Sequence, residues 1–205
     1  MTSLTVPSSK PSPVARPTWE IAYLFPPQGM WAEGDYLMLS GNRLVELVDG
    51  RVEVLPTPTD FHQAVVAFIY EMMAAFIRSR NLGTIRFAPL RVRMADGHFR
   101  MPDVQFISTA KDASRHDEYW DTADLVVEVV SEDDRSRDLE TKRFEYAVAG
   151  IPEYWIVDPI KLEVIVLKLV GNRYEEHGVF TAGQRATSVV LGGFVVEVDQ
   201  VFSAK

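Results

Sequence analysis

The residue types that hydrolyse phosphodiester bonds, two carboxylic acids and a lysine, stand at three places in the middle of the chain. Asp103 directly precedes an apolar strand predicted at 104–107, and Glu128 lies inside the apolar, β-branched run 125–130. A carboxylate inside such a strand costs several kcal/mol unless a partner compensates its charge, and a metal ion is one such partner. Lys142 follows on the next predicted helix. Together these residues predict a site that hydrolyses a phosphodiester bond with the help of a divalent metal ion.

Two further residues are candidates for the same site. Glu46 lies in a strand that is mostly apolar on both faces, where it could hold a second metal ion or orient a metal-bound water. The alternative for Glu46 is an ion pair with an arginine such as Arg43 or Arg91. His62 lies in the first turn of a predicted helix, either as a partly exposed histidine or as a helper at the metal ion or at a phosphate. Each of these two residues therefore has a structural alternative to its role in the site.

The first elements that position these residues are a hairpin and a long helix. Asp49-Gly50 between two apolar runs predicts a β-hairpin over 43–55. Asp60 as the N-cap, with an apolar face at helical spacing behind it, predicts a helix that runs to about Arg80. A second hairpin is predicted around the turn Gly171-Asn172.

The remaining pattern predicts further strands and one more helix. A single strand is predicted over 84–94, a helix over about 138–149, a strand over 153–158, and more strand within 189–198. The arginines of the first of these strands, together with Arg100, form the most basic cluster of the chain. These elements predict an α/β (α+β) fold with a mixed central sheet flanked by helices and extra N- and C-terminal β-hairpins.

Composition limits the class of protein. The 205 residues suit one sizeable core, so we predict a single domain over 19–205 behind a Ser- and Pro-rich, disordered leader over 1–18. The absence of cysteine excludes disulfides, and with four scattered histidines it argues against a zinc site. No apolar run has the length of a membrane span and the N-terminus lacks a signal-peptide pattern, so we expect a cytoplasmic protein without a membrane partner. The net charge of −8 disfavours a broadly basic surface but permits a local basic patch.

The order of the elements from residue 60, which is helix, three strands, helix and strand, resembles the core of the PD-(D/E)xK nuclease superfamily. Pro102-Asp103 matches the PD element, and Glu128-Val129-Val130 stands in the (D/E)xK place with Val130 where the lysine is usual. A second and more specific resemblance, over about residues 31–200, is carried by several segments, which in chain order are Glu46-Leu47-Val48-Asp49-Gly50, Pro102-Asp103, 124–131, Arg137-Asp138, Lys142 and 149–159. In this order the segments resemble the Uma-two family of restriction endonucleases.

The resemblance implies a metal-dependent endonuclease that acts on DNA, with Lys142 in the place of a lysine that has migrated to the helix after the last core strand. The expected ligands of the metal ion are Asp103, Glu128 and the main-chain carbonyl of Val129, with Glu46 as a further candidate. Oxygen ligands of this kind suit Mg²⁺ or Mn²⁺, which keep several waters. Lys142 would position the attacking water or stabilise the pentacovalent phosphate. A homodimer is also expected, because the C-terminal hairpins leave sheet edges to cover.

Two other classes of function stay open at this point. Glu128 and Lys142 could form a buried ion pair without a metal ion, and Asp103 could cap a strand end, which would make the protein an inactive nuclease-fold module for binding or oligomerisation. The acidic balance and the segment Glu132-Asp133-Asp134 favour this module, whereas the joint presence of the three catalytic residue types favours hydrolysis. A hydrolase of small phosphoesters is the third class.

Overall fold

A computed structural model of the protein describes residues 25–39, 44–132 and 135–205, and the leader predicted over 1–18 lies outside these residues. In chain order the strands are β1 (Val45–Val48), β2 (Arg51–Val54), β3 (Gly83–Phe87), β4 (Arg91–Ala95), β5 (His98–Arg100), β6 (Val104–Ser108), β7 (Tyr119–Trp120), β8 (Leu125–Val129), β9 (Glu153–Asp158), β10 (Glu163–Val170), β11 (Arg173–Phe180), β12 (Arg185–Thr187) and β13 (Val195–Glu197). The helices are α1 (Glu33–Leu37), α2 (Asp60–Arg80), α3 (Lys142–Val148) and α4 (Val198–Phe202), with a 3-10 segment (Thr109–Ser114) and a π-helical turn (Arg137–Thr141) that leads into α3.

The central sheet has six strands in the order β11-β10-β9-β8-β6-β3. Its strands β8 and β9 are parallel, while the other neighbours are antiparallel. A parallel pair needs a crossover connection, and the π-helical turn and α3 supply it between β8 and β9. The series α2, β3, β6, β8, α3, β9 therefore gives helix, three strands, helix and strand. This arrangement confirms the mixed α+β fold predicted from the sequence.

Helix α2 covers one face of the central sheet. Its stripe of Val65, Ile69, Met73 and Ile77 is buried against β6, β8 and β9 in the main hydrophobic cluster. By length and composition alone α2 is apolar enough to cross a membrane, yet this stripe belongs to the protein core. The N-cap is Thr59 and not the predicted Asp60, because the Thr59 side chain accepts a hydrogen bond from the backbone N–H in the first turn.

A second, five-stranded sheet has the order β2-β1-β5-β4-β7. The hairpin of β1 and β2 is as predicted, but the single strand predicted over 84–94 is wrong. That segment contributes β3 to the central sheet and β4 to the second sheet. The chain changes sheets at Pro89, which has no N–H to donate to a ladder. The chain returns from the second sheet to the central sheet between β5 and β6, and Asp103 is the last residue of this connection.

The arginines predicted to form a basic cluster are dispersed among acidic or phenolic partners. Arg91 donates to the Tyr36 hydroxyl at 3.0 Å, and Arg93 pairs with Glu33 at 3.0 Å. Arg100 is buried and bonds carboxylates of three other elements. The fold thus brings partners from distant parts of the chain to Arg91, Arg93 and Arg100, whereas Arg86 is exposed and donates to the main-chain carbonyl of Ile85.

Candidate functional site

A cleft of about 490 Å³ brings together residues from four elements, and its lining includes Asp103, Glu128, Val129, Lys142 and His62. The strand register explains why the two acids meet. Strands β6 and β8 are antiparallel, with Val104 opposite Val127, so the residue before β6 lies beside the last residues of β8. The lysine at the start of α3 and the histidine in the first turn of α2 complete the group.

The carboxylate of Asp103 is held by two neighbours. The backbone N–H of Val129 donates to its Oδ2 at 2.8 Å, and Nε2 of His62 lies 3.4 Å from the same oxygen. The same Nε2 lies 3.0 Å from the carbonyl oxygen of Val129. Burial lowers the pKa of His62, but its hydrogen bonds to Asp103 and Val129 and the nearby negative charge outweigh burial and raise the pKa above its usual value. The imidazole therefore faces two of the three oxygen donors expected for a metal ion.

Lys142 lies between two buried carboxylates. Its Nζ is 2.8 Å from Oε2 of Glu128 and 2.9 Å from Oδ1 of Asp138. The Tyr146 hydroxyl donates to the other oxygen of Glu128 at 2.5 Å. Burial raises the pKa of Glu128 to about 8. The ammonium of Lys142 lowers this pKa, but it does not outweigh burial and the negative charges of Asp103 and Asp138. Burial lowers the pKa of Lys142, but the charges of Glu128 and Asp138 outweigh it and raise the pKa, which favours the ammonium form.

Asp138 is a site residue that the sequence analysis did not single out. It is buried and lines the cleft, and burial raises its pKa. The signals that could have found it were its place in the Arg137-Asp138 segment and its spacing of four residues from Lys142.

The π-helical turn places the lysine inward. The Tyr154 hydroxyl, buried on β9, donates to the main-chain carbonyl of Asp138 at 2.9 Å and fixes the turn. Lys142 and Tyr146 then lie on the buried side of α3, whereas Phe144 and Val148 are 70% and 63% exposed. Turns of this kind are frequent at functional sites.

Glu46 lies away from the cleft lining, fully buried in β1. Its Oε1 accepts from the backbone N–H of Met101 at 2.8 Å, and its Oε2 accepts from Arg100 at 2.7 Å and from Arg137. Burial raises the pKa of Glu46, but nearby positive charges outweigh it and hold the pKa below its usual value. This arrangement supports an ion pair, with these arginines rather than Arg91 as partners, over a role as metal ligand.

The donors that the cleft offers to a metal ion are the carboxylates of Asp103 and Glu128 and the carbonyl of Val129. Across 25–39, 44–132 and 135–205, no three histidine, cysteine, aspartate or glutamate side chains converge into a complete metal centre. A hard ion bound by few protein oxygens keeps several waters, and each carboxylate oxygen here has a second lone pair. The donor set therefore fits Mg²⁺ or Mn²⁺ in its chemistry.

Asp103 and Glu128 lie at adjoining strand ends and Lys142 lies at the start of the crossover helix, in a restriction-endonuclease-like fold. The chain belongs to the Uma2 family, described as "Putative restriction endonuclease", whose sequence model matches residues 35–199. The fold is similar to the crystal structure of a putative nuclease belonging to DUF820 from Anabaena variabilis ATCC 29413, with a TM-score of 0.70 and 16% identity over 84% of this chain and 97% of that chain. At this identity the likeness shows the fold alone. No curated protein matches the chain.

Proposed function

We propose that the protein is a metal-dependent endonuclease that hydrolyses phosphodiester bonds of DNA. The observation that carries this proposal is the convergence of Asp103, Glu128 and Lys142 from three separate elements on one cleft. The description of the Uma2 family supports nucleic acid as the substrate.

Asp103, Glu128 and the Val129 carbonyl would hold Mg²⁺ or Mn²⁺, which acidifies a bound water and neutralises charge on the scissile phosphate. The protein itself keeps these donors in place. The Val129 N–H and the His62 imidazole orient Asp103, while the Tyr146 hydroxyl and Lys142 orient Glu128.

Lys142 acts as a fixed positive charge. Because its two carboxylate partners keep it protonated, it donates hydrogen bonds and does not accept a proton. A buried ammonium at the edge of the cleft stabilises the negative charge that develops on the phosphoryl oxygens in the transition state. Its N–H groups also orient the attacking water.

The second candidate is an inactive module for binding or oligomerisation. The specific observation in its favour is the ion pair of Glu128 and Lys142 at 2.8 Å, which together with Asp138 is complete without a metal ion. In this case the buried charges serve to fix the crossover helix on the sheet.

We also propose a homodimer. Strands β11 and β3 are the edges of the central sheet among the described residues, and α3 carries the exposed Phe144 and Val148. Exposed edges and apolar side chains are features that self-association covers. Light scattering after size-exclusion chromatography measures the molar mass of the protein in solution. A monomer at all concentrations tested would refute the proposed homodimer.

The test of the activity compares wild type with Asp103→Asn on supercoiled plasmid and on single-stranded oligonucleotides, with Mg²⁺, Mn²⁺ or EDTA. Asparagine keeps an acceptor for the Val129 N–H, so the variant should fold and yet lose at least about 100-fold in rate. Asp96→Asn is the control, because the Asp96 side chain is fully exposed.

Binding of Mn²⁺ by calorimetry supplies a readout that does not depend on turnover. Asp103→Asn should lose most of its affinity for Mn²⁺, whereas Asp96→Asn should keep it, since the Asp96 side chain is fully exposed and outside the cleft lining. A folded wild type that hydrolyses none of the substrates with either ion would contradict the endonuclease and favour the module.

A further inference from the structure

The cleft has apolar as well as acidic lining residues. Five of its apolar side chains come from the segment after β2, the first turn of α2 and the turn after β9, and they are Leu55, Pro56, Pro58, Phe61 and Ile160. Phe61 is 42% exposed and Ile160 is 48% exposed. Large apolar side chains left in water beside a hydrolytic centre indicate a ligand with an apolar face.

The charges in the cleft argue against a long track of phosphates. The carboxylates of its lining are Asp103, Glu128, Glu132 and Asp138, and its lysine and arginine side chains are Lys142 and Arg137. Both of these cations are already ion-paired with buried carboxylates. Tight binding of a duplex relies on many lysine and arginine contacts to phosphates, so the cleft is suited to one phosphate beside the acids rather than to a row of them.

The size and shape of the cleft favour a single nucleotide. Its volume of about 490 Å³ lies in the range of pockets that enclose small ligands, which is about 300–1,000 Å³. A base inside a duplex is stacked and paired and presents only its edge, whereas an unpaired base has a free apolar face. An aromatic ring such as Phe61 is the usual platform for that face.

We propose that the cleft takes an unpaired nucleotide, in a single strand, a loop or an overhang. Its base packs on the apolar lining residues Phe61 and Ile160, and its phosphate lies beside Lys142 and the metal ion that Asp103 and Glu128 would hold. This inference rests on the proposed function and narrows its substrate class from DNA in general to unpaired segments.

Fluorescence anisotropy tests the inference with a labelled oligothymidine of 12 nucleotides, free or paired with its complement as a blunt duplex. Binding is measured in EDTA and in Mg²⁺, and the oligonucleotide is checked for integrity afterwards. The single strand should bind at least about tenfold more tightly than the duplex. Phe61→Ala should lose about tenfold on the single strand and leave the weak duplex binding unchanged.

Two matched variants make the result specific. Phe61→Trp keeps an aromatic platform and should bind the single strand as wild type does. Phe144→Ala removes a more exposed phenylalanine on the outer side of α3, away from the cleft lining, and should have no effect on binding. Equal or tighter binding of the duplex, or a Phe61→Ala variant that behaves like Phe144→Ala, would overturn the inference.

Failure of the inference and failure of the proposed function give different results. Metal-dependent cleavage of duplex plasmid without preference for the single strand overturns the inference alone. A preference for the single strand that depends on Phe61, with no hydrolysis in Mg²⁺ or Mn²⁺, overturns the endonuclease and supports the base site. No binding of either oligonucleotide overturns both.

Discussion

Replacement of Lys142 by methionine tests the geometry of the site directly. Methionine keeps most of the length and apolar stem of lysine but removes the ammonium that Glu128 and Asp138 share at 2.8 and 2.9 Å. Both carboxylates are buried, so solvent cannot replace the lost contacts without opening the site. The variant should therefore lose stability and, if the protein is an endonuclease, activity.

The size of the stability loss follows from burial. Removing one partner of a buried ion pair costs about 3–5 kcal/mol. Burial raises the pKa of Glu128 to about 8 with Lys142 present, and removal of the ammonium raises it further, so the carboxyl group takes up a proton and the loss lies near 3 kcal/mol. For a protein of this size that corresponds to a fall in Tm of roughly 6–12 °C.

A double-mutant cycle measures the interaction free energy between Lys142 and Glu128. The free energies of unfolding of Lys142→Met, Glu128→Gln and the double variant are determined in urea. In the Glu128→Gln background the lysine substitution should cost at least about 1 kcal/mol less, since one carboxylate fewer is left without a cation. Lys161→Met is the control, because that lysine is largely exposed and its carboxylate partner is 3.4 Å away. If Lys142→Met costs no more than Lys161→Met, the buried charge cluster does not exist as described.

Two further predictions concern the scaffold. Burial raises the pKa of Glu145, but the two hydrogen bonds from Arg100 and the nearby His98 outweigh burial and lower the pKa from 4.5 to about 2. The stability that Glu145 adds is therefore complete above about pH 4.5 and lost as the pH falls towards 2. In urea titrations at pH 7, Glu145→Gln should thus be about 1–2 kcal/mol less stable than wild type, after allowance for solvent screening. Near pH 2 the two proteins should be equally stable. A difference in stability that persists at pH 2 would contradict the ion pair. Glu153→Ala should lower the free energy of unfolding by about 3 kcal/mol, because Glu153 accepts hydrogen bonds from two loop amides and an indole. Hydrogen exchange in the loop before β13 should also become faster. Glu197→Ala at the surface is the control and should change the free energy of unfolding little.

That Asp103 and Glu128 lie close to Lys142 could be expected from the sequence, because a charged residue inside or beside an apolar strand needs a partner. The central sheet could be predicted because β8 and β9 are mostly apolar and are buried throughout. What the sequence could not supply was the pairing of charges that lie far apart along the chain.

Arg100 illustrates this limit. Its sequence neighbourhood is that of a basic strand end, yet its guanidinium is 2% exposed and bonds Glu46, Glu53 and Glu145 on three different elements. These partners are 45 to 54 residues away, so no local pattern reveals them. The split of the segment 84–94 between two sheets was hidden for the same reason, because the strand preference of its residues is the same in either sheet.

The most specific sequence signature, Gly150-Ile151-Pro152-Glu153-Tyr154-Trp155, acts on the site through the scaffold. Glu153 accepts hydrogen bonds from two backbone amides of the loop before β13, and Trp155 packs in the main hydrophobic cluster. Tyr154 reaches from β9 to the carbonyl of Asp138 and holds the π-helical turn. The signature therefore determines where the crossover helix begins, and no residue of it lines the cleft.

The π-helical turn joins a charge cluster around Arg137 to one around Lys142. Arg137 points to Glu46 in the second sheet, while the next residue, Asp138, points to Lys142 in the cleft. Two ion pairs therefore fix the turn, one between Arg137 and Glu46 and the other between Asp138 and Lys142. Glu46 thus acts on the cleft through Arg137, by fixing the turn from which Lys142 projects. This explains why Glu46 belongs to the same sequence signature as the catalytic residue types although it lies outside the cleft.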